Sequence, residues 1–140
     1  MTYANIPLVW KSSMHGEIAL SSTESELIGL STALRTTIPL QRILNEMKEL
    51  GFDISLEGPR IHCTAFEDNN GALAIAKVPK MRPRTKHINN KYFHFVEYTS
   101  RDDAPFEFQK IDTTEQPADV LTKPLAVDLF LKHRKWLLGW

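Results

Sequence analysis

Between residues 22 and 37, in "STESELIGLSTALRTT", Leu27, Leu30 and Leu34 recur three and four positions apart. On a helix of about 3.6 residues per turn that spacing draws a single apolar stripe, and such a stripe needs a partner surface to hold the helix in water. Pro39 interrupts the pattern before Ile43, Leu44, Met47 and Leu50 resume it. A kink or short break is therefore expected at Pro39, with Gly51 closing the second helical piece.

The rest of the chain supplies candidate partners. "PRIHCTAFEDNNGALAIAK" reads as a strand bounded by Pro59, with Ile61, Cys63 and Ala65 on one face, followed by a turn and a helix from about residue 70 that Pro79 ends. Residues 88–99 read as helix, "APFEFQKI" alternates as a strand, and "TTEQPADVLT" starts a helix that Pro124 stops. A last helix is expected over 127–138, with Phe130 and Leu137 on one side. Upstream, "IPLVWKSSMHGEIAL" reads as two short strands meeting at "MHGE", where Gly16 would supply the positive φ of a tight turn. The order of strands and helices indicates an α/β domain with a mixed sheet.

At 140 residues and 42% hydrophobic content the chain amounts to one domain, residues 1–140, able to bury a core. No run of about 18 apolar residues occurs, and the start lacks a basic flank before an apolar stretch. A soluble, intracellular chain with no membrane partner is the expectation. Cys63 is the only cysteine, which excludes an internal disulfide and a multi-cysteine zinc site and leaves an inert buried thiol. Lys plus Arg and Asp plus Glu both total 17, so net charge says nothing about partners. Its distribution does. Residues 77–101 hold seven Lys or Arg against the single acid Glu97, with Tyr92, Phe93, Phe95 and Tyr98 interleaved. A solvated helix face and a nucleic-acid contact surface account for this equally well.

Three acids fall at the ends of elements: Glu26 in the first turn of one helix, Asp68 at the end of a strand, and Asp119 in the first turn of another helix. In open α/β sheets ligands bind at such places, and clustered carboxylates hold hard divalent cations suited to phosphodiester cleavage. Each acid also has a structural explanation. Thr23 and Glu26 fit the capping-box spacing, Ser21 and Glu24 fit it equally, Asp68 can cap the next helix, and Asp119 can complement a helix dipole. Glu24 and Glu26 point about 160° apart on a helix and cannot serve one site together. Glu26 is followed by the small residues Gly29 and Ala33, which permit close approach, whereas Glu24 shares its side with Ser31 and Arg35 as a solvent-facing cap would.

The segments "VWKSS", "ALSSTESELIGLSTAL", "EDNNGALAIAKVP", "RTKHINNKYFHF" and "TTEQPADVLTKPL", in this order, closely resemble the C-terminal ribonuclease H domain of copia-type retrotransposon polyproteins, downstream of the reverse transcriptase. The likeness runs from about residue 8 to the terminal "HRKWLLGW". It implies a ribonuclease H-like mixed sheet flanked by helices, and two-metal hydrolysis, with Mg²⁺ or Mn²⁺, of the RNA strand in RNA–DNA hybrids. By motif, Glu26, Asp68 and Asp119 correspond to three of the family's four catalytic, metal-binding carboxylates. The fourth lies in the family on a first strand upstream of the "WK" motif. The chain is thus expected to lack the first strand and part of the second, and no acid in "MTYANIPLVWKSSMH" substitutes for the missing one. Loss of one ligand predicts little or no nuclease activity from this chain alone.

The resemblance also favours a nucleic-acid role for the basic segment. Arg82, Arg84 and Lys86 can contact phosphates without reading sequence, and His87 can pack or join them. His87 and His94 lie seven apart but without a cysteine partner for zinc. Tyr92 and Phe95 are expected in the core rather than stacked on bases. The upstream reverse transcriptase region is the implied polyprotein partner, and a cytoplasmic virus-like particle or the nucleus the implied location. Three readings stand at this point: a ribonuclease H domain acting with its upstream neighbour, a non-catalytic nucleic-acid-binding remnant, and an unrelated α/β fold whose acids are caps.

Overall fold

The computed structural model describes residues 1–54, 61–78, 90–99 and 106–139. Its elements run β1 (Thr2–Tyr3), β2 (Ile6–Pro7), α1 (Ser22–Glu49), β3 (Cys63–Glu67), α2 (Asn70–Lys77), a 3₁₀ turn (Asn90–Phe93), α3 (Val96–Thr99), β4 (Phe106–Lys110), two further 3₁₀ turns (Thr113–Glu115 and Pro117–Leu121) and α4 (Val127–Leu138). The α/β composition is as expected, but the strands do not form one mixed sheet among the described residues. β1 and β2 make an antiparallel hairpin, whereas β3 and β4 pair in parallel, Cys63 opposite Phe106 through Glu67 opposite Lys110.

The hairpin corrects the reading of the first segment. Its turn is at Ala4 and Asn5, both at positive φ (49° and 63°), the pattern of a type I′ turn, and Gly16 is not at positive φ. Residues 8–20 carry neither helix nor strand. Asparagine tolerates the left-handed region through local hydrogen bonding, so Asn5 made a turn possible where no glycine signalled one.

Helix α1 runs unbroken through Pro39, which corrects the expected break. A proline inside a helix removes one ladder bond, the one to the carbonyl four residues back, and costs about 3 kcal/mol. What offsets it lies on both sides. Leu27, Leu30, Leu34 and Ile38 are buried along one face, and beyond Pro39 the side chains of Gln41 and Asn45 clamp the backbone of Ile61. Gln41 Nε2 donates to the Ile61 carbonyl at 2.6 Å, and Ile61 N–H donates to Asn45 Oδ1 at 2.8 Å. A break at Pro39 would leave these buried groups unpaired. Gly51, at φ 87°, ends the helix as expected, with Phe52 N–H on the Met47 carbonyl and Gly51 N–H on Lys48, the Schellman pattern.

The core forms where α1 meets β4 and the 90–99 segment: Leu27, Ile28, Leu30, Leu34 and Ile38 pack with Ala76, Tyr92, Phe95, Phe106 and Phe108. Tyr92 and Phe95 are core residues, as expected. The 88–99 helix is shorter than expected, a 3₁₀ turn and then α3, and residues 88 and 89 fall outside the description. The "TTEQPADVLT" stretch forms 3₁₀ turns rather than an α-helix, with Pro117 opening the second. On α4 the inward row is Leu129, His133 and Leu137, while Phe130 is exposed.

Helices α1 and α2 meet at their N-terminal ends, and Gly71 permits it. A Cβ on Gly71 would lie 2.7 Å from Thr23 Oγ1 and 3.0 Å from Thr23 Cγ2. Both atoms are close to the α1 backbone, so relief requires the helices to part. Gly71→Ala is expected to cost about 1–3 kcal/mol, the usual penalty for overpacking. In urea titrations, adding Thr23→Ala to Gly71→Ala should restore most of the loss; an additive double variant would rule out this contact as the cause.

Candidate functional site

Two element ends converge beneath this helix junction. At the start of α1, Ser21 Oγ accepts from Glu24 N–H at 3.1 Å while Glu24 Oε2 accepts from Leu20 N–H at 2.7 Å. Glu24 is therefore the capping acid, though it is buried rather than facing solvent. Glu26, two residues on, is turned toward the end of β3. On β3 the alternating face of Cys63 and Ala65 continues to Glu67, which is buried. Asp68 follows as the strand ends. Asn69, not Asp68, caps α2, its Oδ1 accepting from Gly71 N–H and Ala72 N–H at 2.9 and 3.0 Å. Glu26, Glu67 and Asp68 each offer a carboxylate oxygen, and these atoms all lie within 4.8 Å of one another.

Such crowding shows in the acids' proton affinity. Burial pushes the Glu67 carboxyl up to about 7, with Glu26 and Asp68 adding to the shift, although Asn69 N–H donates to Glu67 Oε1 at 2.9 Å and favours its anion. Glu26 is also raised, first by burial and then by Asp68 and Asp119, with Lys123 and His15 opposing. Lys110 Nζ donates to the Asp68 carbonyl, at the cluster's edge. Asp119, buried in the turn Pro117–Leu121, has Oδ2 2.7 Å from Lys123 Nζ. Asp119 acts on Glu26 by its charge, yet the tight group among the described residues consists of Glu26, Glu67 and Asp68.

A consequence follows for stability. The ordinary glutamate value is 4.5, so between pH 4.5 and about 7 folded Glu67 keeps a proton that the unfolded chain has released. Protonation then favours the folded state, and stability falls as pH rises through this window, by at most on the order of 3 kcal/mol. Glu67→Gln keeps an acceptor for Asn69 N–H and removes the charge. It is expected to flatten this dependence and to be more stable than the native chain at pH 8 by about 1–3 kcal/mol. Urea midpoints at pH 5 and pH 8 check this; an unchanged pH slope would exclude Glu67 as its source.

No family model matches the chain, and no solved structure matches it. Curated proteins do. It is 34% identical over 120 residues, 86% of its length, to the retrovirus-related Pol polyprotein from transposon RE2 of Arabidopsis thaliana. It is 31% identical over 122 residues, 87% of its length, to that from transposon TNT 1-94 of Nicotiana tabacum. Its homologues are Pol polyproteins of plant transposons. The similarity extends to the transposon RE1 polyprotein of Arabidopsis thaliana, 32% identical over 124 residues, 89% of the chain. The chain spans 8% of the length of each of these Pol polyproteins. No described helix is long and apolar enough to cross a membrane.

Of the residues singled out in the sequence, the fold brings Glu26 and Asp68 together and sets Asp119 within electrostatic reach. Arg82, Arg84, Lys86 and His87 lie outside the described residues. Glu67 was missed. Its signal is the period of two from Ile61 through Cys63 and Ala65, which sends Glu67 inward with the apolar residues. Cys63 is half-buried, and burial pushes its thiol up to about 11, which leaves it protonated and unreactive at neutral pH.

Proposed function

We propose that the chain is the ribonuclease H part of a transposon Pol polyprotein, cleaving the RNA strand of RNA–DNA hybrids by two-metal hydrolysis with Mg²⁺ or Mn²⁺. The observation that carries this reading is the meeting of Glu26, Glu67 and Asp68 at the end of β3. Three carboxylates at one spot, two with raised proton affinity, make a half-buried surplus of negative charge that a hard divalent cation relieves. Glu26 and Asp68 would hold such ions, with Asp119 joining once it leaves Lys123. The ions supply activation of water and charge stabilisation for phosphodiester hydrolysis. The chain's own part is to position: Asn69 fixes the turn after β3, and Gly71 lets α1 carry Glu26 to it.

The other polyprotein segments are the covalent partners, and an RNA–DNA hybrid the substrate. The test is cleavage of a labelled hybrid with Mg²⁺ and with Mn²⁺, by the chain alone and joined to the preceding polyprotein segment. Metal-dependent cleavage by either form supports the reading. Hybrid binding without cleavage in either form would favour instead a non-catalytic nucleic-acid-binding remnant. One observation leans that way: Lys123 already neutralises Asp119.

A further inference from the structure

Residues 8–20, though without helix or strand, are tied across the molecule as a strap. Ser12 Oγ donates to the Leu121 carbonyl at 2.6 Å, two residues past Asp119. His15 Nε2 is hydrogen-bonded to Ser25 Oγ at 3.0 Å, next to Glu26. Glu17 then reaches the basic segment: its Oε1 pairs with Lys91 Nζ and its Oε2 accepts from Tyr92 Oη at 2.7 Å. Lys91 Nζ also lies 5.0 Å from the centre of the Tyr92 ring, and Arg35 Nη2 donates to the Lys91 carbonyl at 3.4 Å. Each oxygen of the Glu17 carboxylate thus has its own donor, one cationic and one phenolic. The apolar side chains beside it, Met14 (96% exposed) and Ile18 (90%), anchor nothing, so apart from Ala19, which packs against the core, polar contacts seat this stretch.

A pair of donors holding two oxygens of one anion is also what a phosphate requires. Tyr92 is buried and fixed in the core, so the site is preformed, whereas Glu17 arrives on a strap held by a few exposed bonds. An exposed ion pair is weak and yields to a competing anion. Only Gly16 separates Glu17 from His15, at most about 7 Å of backbone, so the strap runs to this pair directly from its tie beside Glu26. We propose that Lys91 and Tyr92 form an anion site which Glu17 occupies, and that a nucleic-acid backbone phosphate displaces Glu17 from it. The identity of the phosphate's carrier rests on the function proposed above; the anion site does not.

The experiment compares the native chain, Glu17→Gln, the double variant Glu17→Gln/Lys91→Gln, and Glu49→Gln. The last makes the same charge change at the far end of α1, about 20 Å of helix beyond Arg35. Binding of a labelled RNA–DNA hybrid is measured by anisotropy over a range of salt. Glu17→Gln should tighten binding about two- to fivefold, the release of one exposed ion pair, and steepen the salt dependence by about one phosphate contact. Glu49→Gln should do neither, and the double variant should return to native affinity. Equal gains for Glu17→Gln and Glu49→Gln, or none, would overturn the proposal. Inorganic phosphate, followed by NMR at Lys91 and Tyr92, separates the two ideas. Shifts in Glu17→Gln larger than in the native chain, with no hybrid bound by any variant, would keep the anion site and sink the nucleic-acid reading. Absence of both responses would sink the site.

Discussion

Phe95→Ala is expected to remove about 3–5 kcal/mol of folding stability, the range for emptying a fully buried aromatic position. Domains of this size are stable by about 5–15 kcal/mol, so the loss takes a large share of the total. Phe95 is 0% exposed and stands edge-on to Phe108, ring centres 5.4 Å apart at 74°. It also lies 6.5 Å from Phe93. Collapse around the hole is hindered, because Phe108 belongs to β4, whose pairing with β3 fixes its position. The effect should therefore reach the acid cluster, since β3 ends in Glu67 and Asp68. Urea unfolding followed by circular dichroism measures the loss, and Phe95→Leu, which refills most of the volume, should cost well under half as much. A loss below about 1 kcal/mol for Phe95→Ala would mean that the 90–99 segment does not hold the core together.

How far this arrangement could be read from the sequence depended on whether local signals agreed with tertiary ones. The stripe of Leu27, Leu30 and Leu34, the alternation of Phe106 and Phe108, and the span of α4 were legible because periodicity and burial point the same way there. Pro39 misled, since the bonds that carry α1 past it come from Gln41 and Asn45 to Ile61, far along the chain and invisible to local reading. Gly16 misled in the opposite sense: a permissive residue is not a turn unless strands flank it, and the turn fell at Ala4 and Asn5 instead. At the site, Glu26 and Asp68 were nameable from position, but helix angle hardly chose between Glu24 and Glu26, and the side read as solvent-facing is the buried one, Glu24. Glu67 was not nameable, because an inward acid on an otherwise apolar strand face has no local signature apart from the alternation itself. The identity of the α2 cap was also hidden, as Asp68 and Asn69 are both good capping residues and the turn chose Asn69.

Asp68→Asn should separate function from fold most sharply. An ordinary capping or charge-pairing acid stabilises its protein, so its replacement lowers stability. Asp68 does not cap α2, and its charge raises the proton affinity of both Glu26 and Glu67. Asparagine has nearly the same shape and leaves Asn69 and its cap in place. The variant should thus be as stable as the native chain at pH 8 or more so, because one member of a crowded anionic group has lost its charge. Cleavage should move the other way. Losing a few kcal/mol of transition-state stabilisation is a hundredfold or more in rate, so hybrid cleavage by the joined protein should fall by at least about a hundredfold in Mg²⁺. Retained stability with lost cleavage marks an acid kept at a cost to the fold for the sake of its charge. Retained cleavage would remove Asp68 from the reaction, and lost stability with unchanged cleavage would return it to a structural role.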